Sequence, residues 1–180
     1  MKHINLNPMN PPLNWQDKLP DELPQGWGKR AAVLCQAQSL TAALRALGGS
    51  FTVKVLYMGE LDGQGNSFGE NHAETAAPQF VRDVLLHLDG VPVVQARSAC
   101  SPQSQAWRGV LDCGTQPLGE RLFDGTLPLK RSAFEFCLME NVGGQDDFRR
   151  PVAARRSYFD WDGEVLELTE YFLAGLAQFV

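Results

Sequence analysis

Apolar residues recur at helical steps early in the chain and at strand steps through most of its remaining length. Ala31, Val33, Leu34 and Ala37, then Leu40, Ala43, Leu44 and Leu47, trace the three- and four-residue spacing of one helix face. Gly48-Gly49 is a natural stop, since glycine takes the left-handed backbone that ends helices. Ser39 lies mid-way, and Ser is a preferred N-cap, which predicts one helix ending near Gln38 and a second starting at Leu40. A continuous helix with an internal Ser fits the same pattern. Phe51 to Met58 reads as a strand, and Glu60 to Pro78 as a long polar loop.

Phe80 to Cys100 is the strongest hairpin signal: two apolar runs meet at Asp89-Gly90, which supplies the positive φ values of a tight turn. Pro92 near a strand start is tolerable. After Ser101-Pro102 a helix is expected from about Gln103 to Leu111. Pro117 then opens a short one through Phe123, proline being favoured in a first helical turn. Leu129 to Glu140 is a further strand candidate, Asn141 to Asp147 a Gly-rich loop, and Arg155 to Leu173 a last hairpin around Asp162-Gly163. The expected fold is α+β, a single antiparallel sheet of about six strands with helices packed on one face. Residues 1–28, carrying Pro8, Pro11, Pro12, Pro20 and Pro24, read as an extended arm that Trp15 and Trp27 pin to the body. Residues 29–180 read as one domain.

Composition changes this picture little. Of 180 residues, 44% are hydrophobic and 21% charged, as in ordinary globular proteins. The net charge of −5 gives no footprint for nucleic acid. No apolar run approaches the roughly 18–20 residues that span a bilayer. The N-terminus lacks a secretory core. Cys35, Cys100, Cys113 and Cys137 are scattered, without Cys-x-x-Cys spacing, and read as free thiols in a reducing cytoplasm. His3, His72 and His87 are far apart, so no metal site is expected.

Candidate chemistry comes from charges in apolar company. In the last strand Leu166, Leu168, Glu170 and Phe172 point one way. A carboxylate in such a row must be protonated, paired or used. Arg97 stands in a strand otherwise made of Val, Ala, Ser and Cys. The helix starts at Leu40 and Leu118 add backbone N–H groups without internal partners, which suit an anion. Together these describe a site for a small hydroxylated acid. A structural salt bridge between Arg97 and Glu170 is an equally good account of the two charges alone. Arg155 and Arg156 read as solvated charges, although either could meet a second carboxylate.

Three stretches in order resemble the chorismate–pyruvate lyases. They are Val81-Arg82-Asp83-Val84-Leu85-Leu86-His87-Leu88-Asp89-Gly90 through Gln95-Ala96-Arg97-Ser98, then Pro117-Leu118-Gly119-Glu120-Arg121-Leu122-Phe123, then Leu166-Glu167-Leu168-Thr169-Glu170-Tyr171-Phe172-Leu173. The likeness covers roughly residues 29–174 and leaves out the first 28 residues and the Glu60–Pro78 segment. It implies that Arg97 grips the ring carboxylate, that backbone amides of Leu118 and Leu40 assist, and that Glu170 faces the product hydroxyl. Many members carry Met where Leu40 stands, a departure of little weight for a backbone contact.

By this resemblance the enzyme converts chorismate to 4-hydroxybenzoate and pyruvate for ubiquinone synthesis, without a cofactor, as a cytoplasmic monomer. Glu170, its pKa raised by apolar surroundings, would bond the C4 hydroxyl or shuttle a proton. Slow release of a buried product implies product inhibition, relieved by movement around Leu40 and Leu118. The competing class is a non-catalytic ligand-binding domain, as in bacterial repressor effector domains of this fold. Such a domain normally follows a basic helix-turn-helix, and residues 1–28 are too short and Pro-rich to be one. A lyase for another enolpyruvyl or hydroxyaryl substrate is a third reading.

Overall fold

The computed structural model describes residues 13–62, 77–139 and 148–180. The start of the expected arm, most of the loop expected between Glu60 and Pro78, and the loop expected at Asn141 to Asp147 lie outside the described residues.

The helical third forms α1 (Lys29–Cys35) and α2 (Leu40–Ala46). The break is where Ser39 predicts it, because the Ser39 side chain accepts from the Ala42 N–H at 3.3 Å and caps the second helix. Later helices are α3 (Gln105–Leu111), capped by Ser104, and α4 (Leu118–Leu122), which begins directly after Pro117. The strands are β1 (Phe51–Leu61), β2 (Gln79–Leu88), β3 (Val91–Cys100), β4 (Lys130–Arg131), β5 (Glu135–Leu138), β6 (Pro151–Trp161) and β7 (Glu164–Leu173). They make one seven-stranded sheet in the order β1-β2-β3-β7-β6-β4, with β5 also on β6, and every pairing is antiparallel.

Both predicted hairpin turns are present, with φ of 48° and 79° at Asp89-Gly90 and 52° and 89° at Asp162-Gly163. Two expectations are corrected. The first strand does not stop at Met58 but runs to Leu61, held by pairing with β2. The strand expected from Leu129 to Glu140 is two short pieces, because the chain pairs with β6 at Arg131↔Phe159, leaves it, and returns at Glu135↔Arg156.

Helices cover one face of the sheet. Leu34, Leu40 and Leu44 from α1 and α2, Trp107 and Leu111 from α3, and Leu118 and Leu122 from α4 pack on Phe80, Val84, Leu86, Val94, Leu168 and Phe172. These strand residues are the alternate positions of β2, β3 and β7, so one parity of each strand builds the core. Trp27 packs edge-on against Phe172, ring centroids 5.9 Å apart, and Trp15 lies 4.3 Å from the Arg156 guanidinium. The arm is thus tied down by its tryptophans. No helix among the described residues is long and apolar enough to cross a membrane.

Candidate active site

Two neighbouring rows cross the helix-covered face of the sheet. The first runs Arg82, Ser98, Leu168, Ser157 over β2, β3, β7 and β6. The second, one step along, runs Val84, Ala96, Glu170, Arg155. All but Ser157 line a partly open cavity of about 40 Å³, roofed by Leu40 and Thr41 of α2 and by Pro117, Leu118 and Gly119 at the start of α4, and flanked by Arg131 of β4. The helix starts close on each other here. A Cβ on Gly119 would stand 2.8 Å from Thr41 Oγ1, so only glycine permits this approach. On the outer surface Arg45 and Glu120 bridge the same two helices at 2.8 Å.

The cavity's charge is three guanidiniums against one carboxylate. Glu170 has the partner its apolar row demands, and that partner is Arg155. The two are directly paired across β6 and β7, and Arg155 Nε donates to Glu170 Oε2 at 2.5 Å with both side chains closed to water. Arg155 Nη1 donates to the carbonyls of Cys35 and Ala37 at 2.8 and 2.7 Å. Its buried Nη2 has no acceptor among the described residues. Arg131 donates through Nη1 to the Gln38 carbonyl at 2.6 Å and through Nε to Ser157 Oγ at 3.0 Å. Phe134 lies between the two cations, its ring centre 4.1 Å from the Arg131 and 4.3 Å from the Arg155 guanidinium.

Arg82, 2% exposed, donates to the carbonyls of Gly114 and Gln116 at 2.8 and 3.2 Å. Each helix start is therefore tied to the cavity floor by arginine: the link before α2 by Arg131 and Arg155, the turn before α4 by Arg82.

Burial perturbs these groups. It lowers the Arg82 guanidinium from its usual value, against a smaller pull from the Cys113 thiol. It brings Arg131 down to about 10, with Glu170 opposing and Arg155 adding. Both remain cations near neutral pH. Cys35, under the same helices, is pushed up to about 12 by burial, against the Arg155 charge.

Leu40, Leu118 and Glu170 come together as expected. Arg97 does not join them. Ala96 and Ser98 take the cavity side of β3, so Arg97 points through the opposite face. There its Nε and Nη2 donate to the Asp83 carboxylate at 2.8 and 2.6 Å, across from Thr169. The salt bridge considered between Arg97 and Glu170 is excluded by the same parity. Both Arg155 and Arg156 were expected as solvated charges, but Arg155 is wholly buried, and Arg156, on the other face, is half-buried, 2.7 Å from Glu135 and stacked on Trp15.

Sequence reasoning passed over Arg82 and Arg131. Arg82 had a usable signal, since it shares an apolar row with Phe80, Val84 and Leu86, the rule that singled out Glu170. Arg131 sits on a two-residue strand and left no pattern to read.

A family model described as chorismate lyase matches residues 16–178. A probable chorismate pyruvate-lyase of Ralstonia nicotianae is 34% identical over 92% of this chain and 91% of its own. Another, of Shewanella amazonensis, is 32% identical over 91% of this chain and 86% of its own. Among solved structures, the effector domain of PhnF from Mycobacterium smegmatis aligns with a TM-score of 0.45 and 15% identity, over 75% of this chain and 88% of that one, a likeness too loose to decide anything. With its helix starts, Glu170 and cationic cavity gathered on one sheet face, and with a match along nearly its whole length, the chain belongs to the chorismate lyase family of enzymes.

Proposed function

We propose that the protein eliminates pyruvate from chorismate to leave 4-hydroxybenzoate, feeding ubiquinone synthesis in the cytoplasm. The supporting observation is the pairing of rows on the cavity floor. Arg82 lies two strands and two residues from Glu170, roughly 12 Å between Cα atoms by sheet spacing. Once the helix starts above them part, the span between the two heads suits one aromatic acid. Arg82, with the N–H groups that open α2 and α4 at Leu40 and Leu118, cradles the ring carboxylate. Glu170, fixed by Arg155, meets the hydroxyl para to it.

The reaction needs little beyond orientation and matched charge. Losing the C4 proton and the C3 ether makes the ring aromatic, so the driving force is internal to the substrate. The balance closes without a co-reactant. The present cavity has room for a few waters rather than a ring. Binding and release therefore require the α2 and α4 starts to part, which accounts for an expected inhibition by 4-hydroxybenzoate.

The test is direct. Purified protein is mixed with chorismate, without added metal, and the ultraviolet absorbance of 4-hydroxybenzoate is followed. Chorismate that decays only at its rate in buffer would dismiss the activity.

A further inference from the structure

The cavity's arginines differ in what answers their charge. Arg155 has Glu170 at 2.5 Å. Arg82 and Arg131 hydrogen-bond only to neutral oxygens, two carbonyls in one case, a carbonyl and a hydroxyl in the other, and Arg131 also lies against the rings of Phe123, Phe134 and Phe159. Among the described residues neither has a carboxylate within ion-pair distance. Of Arg131's nitrogens, Nη2 makes no hydrogen bond among the described residues. A guanidinium drawn out of water without a counter-charge is costly, and such cations are kept where an anion will come. The cavity's own side chains thus leave two positive charges without a paired carboxylate, which is the complement of a dianion.

Their placement is also specific. Arg82 begins the row that continues through Ser98 and Leu168 to Ser157, and the Arg131 head is fixed on Ser157 Oγ at 3.0 Å. The two cations therefore stand at opposite ends of three strand spacings, roughly 14 Å of sheet. Glu170 lies in the adjoining row between them. Chorismate carries one carboxylate on the ring and one on the enolpyruvyl group, joined through oxygen meta to the first, with the hydroxyl para.

We propose, resting on the chorismate reading, that Arg131 binds the enolpyruvyl carboxylate, so that Arg82 and Arg131 together select a dicarboxylate. In the reaction the C3–O bond breaks with its electron pair passing to the enolpyruvyl oxygen. The C4–H pair enters the ring, and a proton equal to the one lost from C4 is gained at the enolpyruvyl methylene as it becomes the methyl of pyruvate. Each product then carries one carboxylate: 4-hydroxybenzoate keeps Arg82, and pyruvate keeps Arg131. Arg131 consequently touches substrate and leaving group directly and bears on the aromatic product only through the Gln38 carbonyl it holds before α2.

That asymmetry makes the assignment testable. Wild type, Arg131→Met and Arg82→Met are compared in kcat/KM for chorismate and, by titration calorimetry, in Kd for 4-hydroxybenzoate. Arg131→Met is expected to lower kcat/KM at least a hundredfold while weakening the Kd less than tenfold, the smaller loss reflecting the lost tie to the Gln38 carbonyl. Arg82→Met is expected to weaken both. Retained product binding also shows that the variant cavity is folded. Parallel losses for both ligands in Arg131→Met, or no loss for either, overturn the assignment. If Arg131→Met does not fold, Arg131→Gln decides by the same split, since it keeps a hydrogen-bond donor beside Gln38 and Ser157 and loses the charge. A wild type that leaves chorismate intact sinks the chorismate reading and this assignment with it. A wild type that turns it over, with parallel losses in the variant, sinks the Arg131 assignment alone.

Discussion

An ion pair closed to water contributes little while whole and costs much when halved, because the survivor is left charged and dry. Two pairs sit back to back on this sheet, Arg155–Glu170 closed to water in the cavity and Arg97–Asp83 behind it, largely buried. Their removal should read differently. Arg97→Ala should lower stability by about 3 kcal/mol, seen as a fall in Tm, with KM for chorismate within threefold of wild type. Arg82→Ala should abolish measurable turnover. Normal Tm with lost turnover in Arg97→Ala would return Arg97 to the site. The expectation that Arg97 faces the ligand failed on a single residue. Counted back from the Asp89-Gly90 turn, an unbroken ladder puts Arg97 opposite Arg82 on one face. Instead a bulge intervenes after Leu86, Val93 is left without a partner on β2, and Arg97 falls opposite Asp83. The need of Glu170 for a partner was legible from its row. Which arginine meets it was not, since that depends on the β6–β7 register. Glu170→Gln keeps the shape and a hydrogen-bonding head, so a proton-shuttling role predicts a fall of about a hundredfold in kcat. Near-normal turnover would leave Glu170 only the hydroxyl contact.

The roof of the site is built from short elements, and short elements owe their position to packing rather than to propensity. Helices α2 and α4 have seven and five residues. Both starts were readable, from Ser39 and Pro117, because capping chemistry is local. Their meeting at Gly119 was not readable, since it pairs residues far apart in sequence. An alanine there would place its Cβ 2.8 Å from Thr41 Oγ1 and 3.4 Å from Thr41 Cβ. Thr41 is buried and β-branched, so it yields poorly. Gly119→Ala should cost about 1–2 kcal/mol and raise KM for chorismate about tenfold by prying the Leu40 and Leu118 amides apart. Thr41→Ala in the same chain removes the obstructing atom and should recover most of both losses. A double variant no better than the single one would show that the close approach is not what sets the roof. The split of the expected 129–140 strand has the same root as the missed Arg131, for a strand two residues long has no period to detect.

At the scale of the whole molecule, an acidic chain of net charge −5 concentrates three arginines around one cavity and buries the thiols of Cys35 and Cys100 in its main core, with Cys137 buried apart from them. The arginines favour an anionic ligand, while the thiols set a limit on alkaline stability. Burial pushes Cys35 up to about 12 and Cys100 to about 11, from an ordinary value of 9.0, with nearby arginines opposing and nearby glutamates adding in both cases. A group whose folded pKa is raised keeps its proton longer in the native state. Its stabilising share is intact below pH 9 and is lost progressively above it, the loss being complete once pH passes the folded values of about 11 and 12, because the unfolded chain releases the proton first. Unfolding free energy should therefore drop between pH 8 and pH 10.5 by on the order of 3 kcal/mol from these two thiols. Lysines and tyrosines titrate over the same range, so the readout is a difference. Urea melts of wild type and of Cys35→Ala/Cys100→Ala are compared across that window. The double variant starts lower, having lost packing, but its stability should fall less steeply with pH. Equal slopes would mean that the thiols ionise as readily in the folded protein as in the unfolded chain, and that water reaches the core beneath α1 and α2.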